Sequence, residues 1–303
     1  MSTSRRVTQQ RQHQRRAQEQ SIREHERARR RRMFLAGGVF GTVLMVIAVL
    51  VVVRLARPER SAGDVTGTTL ASVAVVDALT VEAAVLDQVG RGKVEALPVR
   101  LPAQPPLTVA GKPLVLYVGA EYCPFCAAQR WPLMVALSRF GTFSGLKSAH
   151  SASDDVFPDT ATLSFHGATY TSDYLAFEGV EMATSERQGA QYAPLQALTP
   201  AQEAVVRTYN APPYVPARSA GAIPFLDFGN QFIMTGTTVD PTVLKGLSDE
   251  QIAVALSNPD SPVGRTVLGS ANAMTAVLCQ LTGGQPAAVC SAPGVVAFAE
   301  LRS

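Results

Sequence analysis

The chain has 303 residues and a formal net charge of +3, with 47% hydrophobic and 17% charged residues. That is room for one large domain or two ordinary ones, with ample material for a core. The modest total hides an asymmetry: residues 1–32 hold eleven Arg against three Glu, a net +8, which leaves −5 for the rest.

An arginine-rich tail invites a nucleic-acid reading. However, this one has no aromatic residue before Phe34 and no binding fold, and a membrane-topology signal explains it more simply. It is followed by Met33 to Val53, an uncharged run in which only Thr42 is polar. A helix of that length rises about 30 Å, one hydrocarbon thickness. The alternative, a cleaved signal peptide, has an apolar core of about 7–15 residues. Here the run is longer, the preceding segment is long, and Arg54 and Arg57 follow at once. The reading is a transmembrane helix over 33–53 in contact with lipid, with residues 1–32 cytoplasmic. The chain is then a single-pass cell-membrane protein whose C-terminal part lies outside the cytoplasm.

Residues 54–75 are small and polar and read as a linker to an extracytoplasmic domain over 76–303. Thr80 to Val89 suggests a short helix, with Thr80 as N-cap, valines at 81, 85 and 89, and Gly90 as the stop. After a proline-rich segment, "KPLVLYVGAEY" fits a buried strand bounded by Gly111 and Gly119. From Cys123 the period changes to a helical one ending at Gly141, with a kink expected at Pro132. Leu146 to Ala149 suggests the next strand. Residues 151–199 read as an aromatic-rich insertion with extended segments turning at His166-Gly167. Thr199 and Pro200, with Glu203 nearby, open a helix. "GAIPFLDFGNQFIMTG" reads as two strands joined by Gly229-Asn230. From about Asp240 the pattern is mostly helical, with a break at Asn258-Pro259 and a helix near Val263 to Leu281.

All four cysteines (Cys123, Cys126, Cys279 and Cys290) fall beyond the apolar span, where disulfides persist. A Cys-x-x-Cys at a strand-to-helix junction places the first sulfur at the helix N-terminus, where free N–H groups stabilise a thiolate. The second sulfur lies one turn on, close enough to close the ring and release a mixed disulfide. Cys123 is thus the expected nucleophile and Cys126 the resolving thiol, with Pro124 suited to the first helical turn. Two other readings compete, a structural or vestigial disulfide and a metal site. Zinc would need two further ligands at ligand-like spacing, and metal is the weakest of the three; no cofactor is expected.

Cys279 and Cys290 enclose a turn candidate at Gly283-Gly284. They read either as a structural staple or as a second redox pair. The aromatics Phe157, Phe165, Tyr170, Tyr174 and Phe177 either line a peptide groove or pack the insertion's own core.

The order of strand, Cys-Pro-Phe-Cys helix, strand, helix, proline-led hairpin and final helix resembles the thioredoxin superfamily. The segments "GAEYCPFCAAQRW", "ALSRFGTFSGL", "FHGATYTSDYLAFEGVE" and "LTGGQPAAVC" resemble more closely the membrane-anchored domain of unknown function 929 family, over roughly residues 75–295. The resemblance implies an α/β, thioredoxin-like fold with an insertion and a helical C-terminal extension, preceded by one transmembrane helix. It also implies that Pro224 is cis and faces the redox pair, with Ile223, Pro124 and Phe125 beside a bound peptide. Thioredoxin has a buried carboxylate six residues before its first cysteine, and Tyr117 stands there in this chain. Glu121, the nearest acid in sequence, is the possible proton acceptor for Cys126, or else a solvated loop residue. The expected function is thiol–disulfide exchange on exported protein thiols or disulfides, with an unidentified redox partner and no nucleic acid. The rival reading is a membrane-tethered thioredoxin-fold binding module.

Overall fold

The computed structural model describes residues 69–301. The basic tail, the apolar span and residues 54–68 lie outside the described residues, and so do the expectations placed on them. Among the described residues no helix is long and apolar enough to cross a membrane.

Two short helices, α1 (Val73–Asp77) and α2 (Ala83–Val89), precede the strands β1 (Val99–Arg100), β2 (Thr108–Val109) and β3 (Lys112–Gly119). α3 (Pro124–Ser138) follows, then β4 (Gly141–Ser144), β5 (Lys147–His150), β6 (Ala161–Ser164), β7 (Thr169–Ser172) and β8 (Ala176–Glu181). A hairpin of β9 (Ala183–Gln188) and β10 (Gln191–Pro194) leads to α4 (Pro200–Tyr209), β11 (Phe225–Phe228) and β12 (Phe232–Thr235). The chain closes with α5 (Asp249–Leu256), α6 (Pro262–Leu281), α7 (Ala287–Cys290) and α8 (Pro293–Val296).

The result is a mixed α/β structure built around one central strand. β3 pairs with β8 in parallel and with β11 antiparallel, β12 extends the sheet beyond β11, and β1 pairs with β12. Side chains alternate across this sheet. Val115, Tyr117, Leu226, Phe228, Phe232 and Met234 join the core shared with α3 and α6. Leu116, Val118, Val180, Phe225 and Ile233 pack on the other face with Val205 and Tyr209 of α4. Burial on both faces is why Leu114 to Val118 is a continuous apolar run rather than an alternating one.

Helix ends follow their local chemistry. Thr199 and Gln202 form a reciprocal capping box, with Pro200 in the first turn of α4. α3 runs through Pro132 to Ser138 without interruption. Seventeen of the twenty residues of α6 are buried, so it is a central helix of the core. Gln129 ties α3 to its surroundings: its Oε1 accepts from the Thr238 N–H at 2.7 Å, and its Nε2 meets Met274 Sδ at 3.4 Å.

Three sequence expectations need correction. The fold begins before residue 76, since the Ala71 N–H bonds Leu146 O and Ser72 caps α1. α2 starts at Ala83 after Glu82, so Thr80 is not its cap. The strand expected at 146–149 is present, shifted by one residue, as β5, and it pairs with β6 outside the central sheet. The segment 151–199 is not wholly an insertion, because it supplies β8, the parallel neighbour of β3. The chain does turn at His166-Gly167, but the flanking strands pair elsewhere, β6 with β5 and β7 with β4.

Cys279 and Cys290 are joined in a disulfide, with their Cα atoms 5.6 Å apart and a sequence separation of 11. The Gly283-Gly284 turn brings them together, both glycines at positive φ. Closing a loop that short stabilises the fold by about 3 kcal/mol in the chain-entropy account.

Candidate functional site around Cys123 and Cys126

β3 delivers the chain to the site. It ends at Gly119, and after three residues Cys123 becomes the N-cap of α3, with Pro124 in the first turn where a missing N–H costs nothing. The Cys123 sulfur accepts from the Cys126 N–H at 3.3 Å, so a thiol serves as the capping group. The Ala120 carbonyl holds the loop from two sides. It accepts from the Cys123 N–H at 3.2 Å and from Arg130 Nη2 at 2.8 Å.

Both cysteines are free thiols and unequal. Cys123 is 6% exposed and Cys126 fully buried. The hydrogen bond from the Cys126 side chain pulls the Cys123 thiol below its ordinary value, and the Cys126 backbone N–H and the Arg130 charge help against burial. Burial pushes the Cys126 thiol well above its ordinary value, and the hydrogen bond and charge of Cys123 push it further. Of the two, the outer sulfur forms the thiolate more readily.

Beneath the pair lies an ion pair that the sequence did not reveal. Arg130 grips Glu181 with two parallel bonds, Nε to Oε1 at 2.7 Å and Nη2 to Oε2 at 2.6 Å, both side chains fully buried. Burial drives the Glu181 carboxyl up, and the guanidinium opposes this. With this two-pronged geometry we take the pair as charged at neutral pH. Glu181 ends β8 and stands opposite Gly119 in register, which sets it at the sheet end where the cysteine loop leaves.

Glu121 is not a solvated loop residue. It is 3% exposed, and its Oε1 accepts from Ser164 Oγ at 2.5 Å. Pro224 immediately precedes β11; since Phe225 pairs with Val118, the register continued by one residue brings Pro224 to Gly119, at the same sheet end. The Ile223–Pro224 peptide is cis.

The aromatics do not all pack together. Phe165, Tyr170 and Phe177 cluster with Phe143 and pack the interior, and Tyr117 meets Phe165 edge-on at 5.0 Å. Phe157 instead meets Phe125 edge-on at 5.7 Å beside the cysteines, where Phe125 is 39% exposed. A second surface pair is Tyr122 stacked on Tyr192 at 4.0 Å, with Arg187 over the Tyr192 ring and bonded to Asp154. Tyr122 and Tyr192 were missed because they lie seventy residues apart and meet only through the β9–β10 hairpin.

The second cysteine pair belongs elsewhere. Gly229, in the turn at the far end of the β11–β12 hairpin from Pro224, lies against Leu281, two residues after Cys279. Both bonded cysteines are 3% exposed. The disulfide therefore sits toward the opposite end of the sheet, away from Cys123.

A family model described as a domain of unknown function, DUF929, matches residues 103–280. The chain belongs to this family. The DUF929 region takes in the cysteine loop, Glu121, Arg130, Glu181, Pro224 and Cys279, and ends before Cys290. No curated protein and no solved structure matches the chain. Among the described residues, no three His, Cys, Asp or Glu side chains converge as a metal site.

Proposed function

We propose that this chain is a thiol–disulfide oxidoreductase with a thioredoxin-like fold, anchored by residues 33–53 and acting on exported proteins outside the cytoplasm. The strand order β8-β3-β11-β12, with β8 parallel to β3 and the last two antiparallel, supports the fold reading. The observation that carries the function is the asymmetry of the pair: a capping thiol pulled down, one turn from a buried thiol pushed up.

The Cys123 thiolate attacks a substrate disulfide. A Cys123–substrate bond forms, and one substrate sulfur leaves with the electron pair and takes up a proton. Cys126 then gives up its proton and attacks the Cys123 sulfur, forming the intramolecular disulfide and releasing the second substrate thiol. The reverse sequence oxidises a dithiol substrate. Phe125, Ile223 and Pro224 border the place where the substrate segment lies, with Pro124 setting the first turn beneath it.

Cys126→Ser is expected to accumulate mixed disulfides with exported proteins, and Cys123→Ser to accumulate none, read on non-reducing gels of the full chain expressed in its membrane. Partners that persist when both cysteines are serine would instead establish a binding module.

Glu121 takes the proton from Cys126 in this scheme, supported by its burial in the loop that carries Cys123. Glu121→Gln is expected to slow closure of the intramolecular disulfide severalfold while leaving alkylation of Cys123 unchanged. Equal closure rates across pH 6–9 would remove Glu121 from the mechanism.

A further inference from the structure

Two buried donors under the cysteine pair have no partner. Among the described residues, the Tyr117 hydroxyl and Arg130 Nη1 are enclosed without a hydrogen bond, a costly arrangement that a fold retains for a reason. They belong together: the Arg130 guanidinium carbon lies 5.8 Å from the Tyr117 ring centroid. They also belong to the cysteines. Cys123 caps α3, and Cys126 and Arg130 follow three and seven residues on, four apart on one face of the helix. Arg130 Nη2 holds the same Ala120 carbonyl that fixes the Cys123 N–H. Tyr117 is on the sheet face that packs against α3, and its hydroxyl occupies the space that a Cβ at Gly119 would take. A glycine at the last position of β3 thus lets the hydroxyl reach the foot of the cysteine loop.

We propose that Tyr117 and Arg130 are a built-in donor pair for the Cys126 sulfur, idle while that sulfur is protonated and engaged when it becomes the resolving thiolate. This rests on the redox reading above. Cys126 is the buried sulfur, so water cannot stabilise its anion, and donors fixed in advance must do so. Glu181 fulfils the complementary role. By taking Nε and Nη2 of Arg130 it fixes the guanidinium and leaves Nη1 over. The Arg130 charge is felt at the Cys126 sulfur, and a charge on that sulfur is felt at the Tyr117 hydroxyl, consistent with this placement. In the step concerned, the Cys126 proton departs to Glu121 and the Cys126–Cys123 bond forms. The Cys123–substrate bond breaks, and the substrate sulfur leaves with its electron pair. Both residues act through Cys126 and are positioning residues. The other titratable groups near the pair are Glu121 and Tyr122, carried by the cysteine loop, and Glu181, opposite Gly119 on β8.

The reaction of the reduced full chain with 5,5′-dithiobis(2-nitrobenzoate) separates the two steps. Cys123 attacks the reagent and releases one thionitrobenzoate; Cys126 then displaces the second and closes the disulfide. In Tyr117→Phe the first phase is expected to be unchanged and the second to slow about tenfold, the equivalent of one pKa unit. The pH midpoint of the second phase should rise, and thermal stability should be unchanged or higher, since no existing hydrogen bond is lost. Arg130→Lys keeps a charge for Glu181 but lacks the fork, and should slow the second phase more than the first. A second phase in Tyr117→Phe equal to that of the unaltered chain overturns the proposal and leaves the redox reading intact. Slowing of both phases alike, or a drop in melting temperature, also overturns it by assigning Tyr117 a purely structural role. Failure of the unaltered chain to release the second equivalent overturns the redox reading itself, and the proposal with it.

Discussion

Arg130→Met is expected to destabilise the fold by about 3–5 kcal/mol at neutral pH, the usual cost of leaving one buried charge without its partner. The reason lies in what remains. Glu181 is fully buried at the end of β8, and both its oxygens are held by Arg130. Without the guanidinium, burial drives the carboxyl further up, with only a backbone hydrogen bond from Phe165 left to oppose it. The carboxyl then either ionises at high cost or takes a proton. The loss should therefore shrink as pH falls and the carboxyl is protonated, which a loss of packing alone would not do. Combining Arg130→Met with Glu181→Leu removes both charges and should recover most of the stability, because apolar replacement of a buried pair is often neutral. Urea denaturation of the purified full chain at pH 5 and pH 8 compares the unaltered chain with the single and the double variant. Equal losses in the single and double variants would mean that the pair is not energetically coupled.

This pair also marks where sequence reading stops. The cysteine helix was legible because its signals are local: an apolar run, a capping position, a proline in the first turn, then a helical period. β11 and β12 were legible for the same reason, from Ile223-Pro224 and the Gly229-Asn230 turn. Arg130 carries no such signal. An arginine in an amphipathic helix reads as the solvated face, and its partner lies 51 residues away on a different element. β8 was hidden by Glu178 and Glu181, which make "LAFEGVE" look half-exposed although it lies beside the central strand. The place of Glu121 in the loop fits a solvated or a functional residue equally, and the groups that bond it, Ala183 of β9 and Ser164, come from distant elements. In each case an ionisable side chain is buried by elements distant in sequence, which composition and period do not report.

Asp227→Asn is expected to stabilise the fold at pH 8 by about 2–4 kcal/mol and to leave it nearly unchanged at pH 4. Asp227 is fully buried in β11, on the sheet face covered by α4, between Leu116 and Ile233. Its Oδ1 accepts from the Asn230 N–H at 2.7 Å, which holds the hairpin turn in its left-handed conformation. Its Oδ2 is buried without a partner. Burial pushes the carboxyl from 3.8 to about 7, with the Asn230 hydrogen bond only partly opposing it. Between those values the folded chain holds a proton that the unfolded chain has released, so stability falls as pH rises from about 4 to about 7. Full ionisation costs about 4 kcal/mol at 1.36 kcal/mol per pKa unit. The amide keeps an oxygen for Asn230 and carries no charge, so the variant should lack this slope. Urea midpoints at pH 4, 6 and 8 test it on the purified full chain. Parallel curves for the two proteins would show that Asp227 reaches a solvating partner when ionised. A variant less stable at every pH would instead assign the residue to the hairpin turn alone, with its charge of no consequence to the fold.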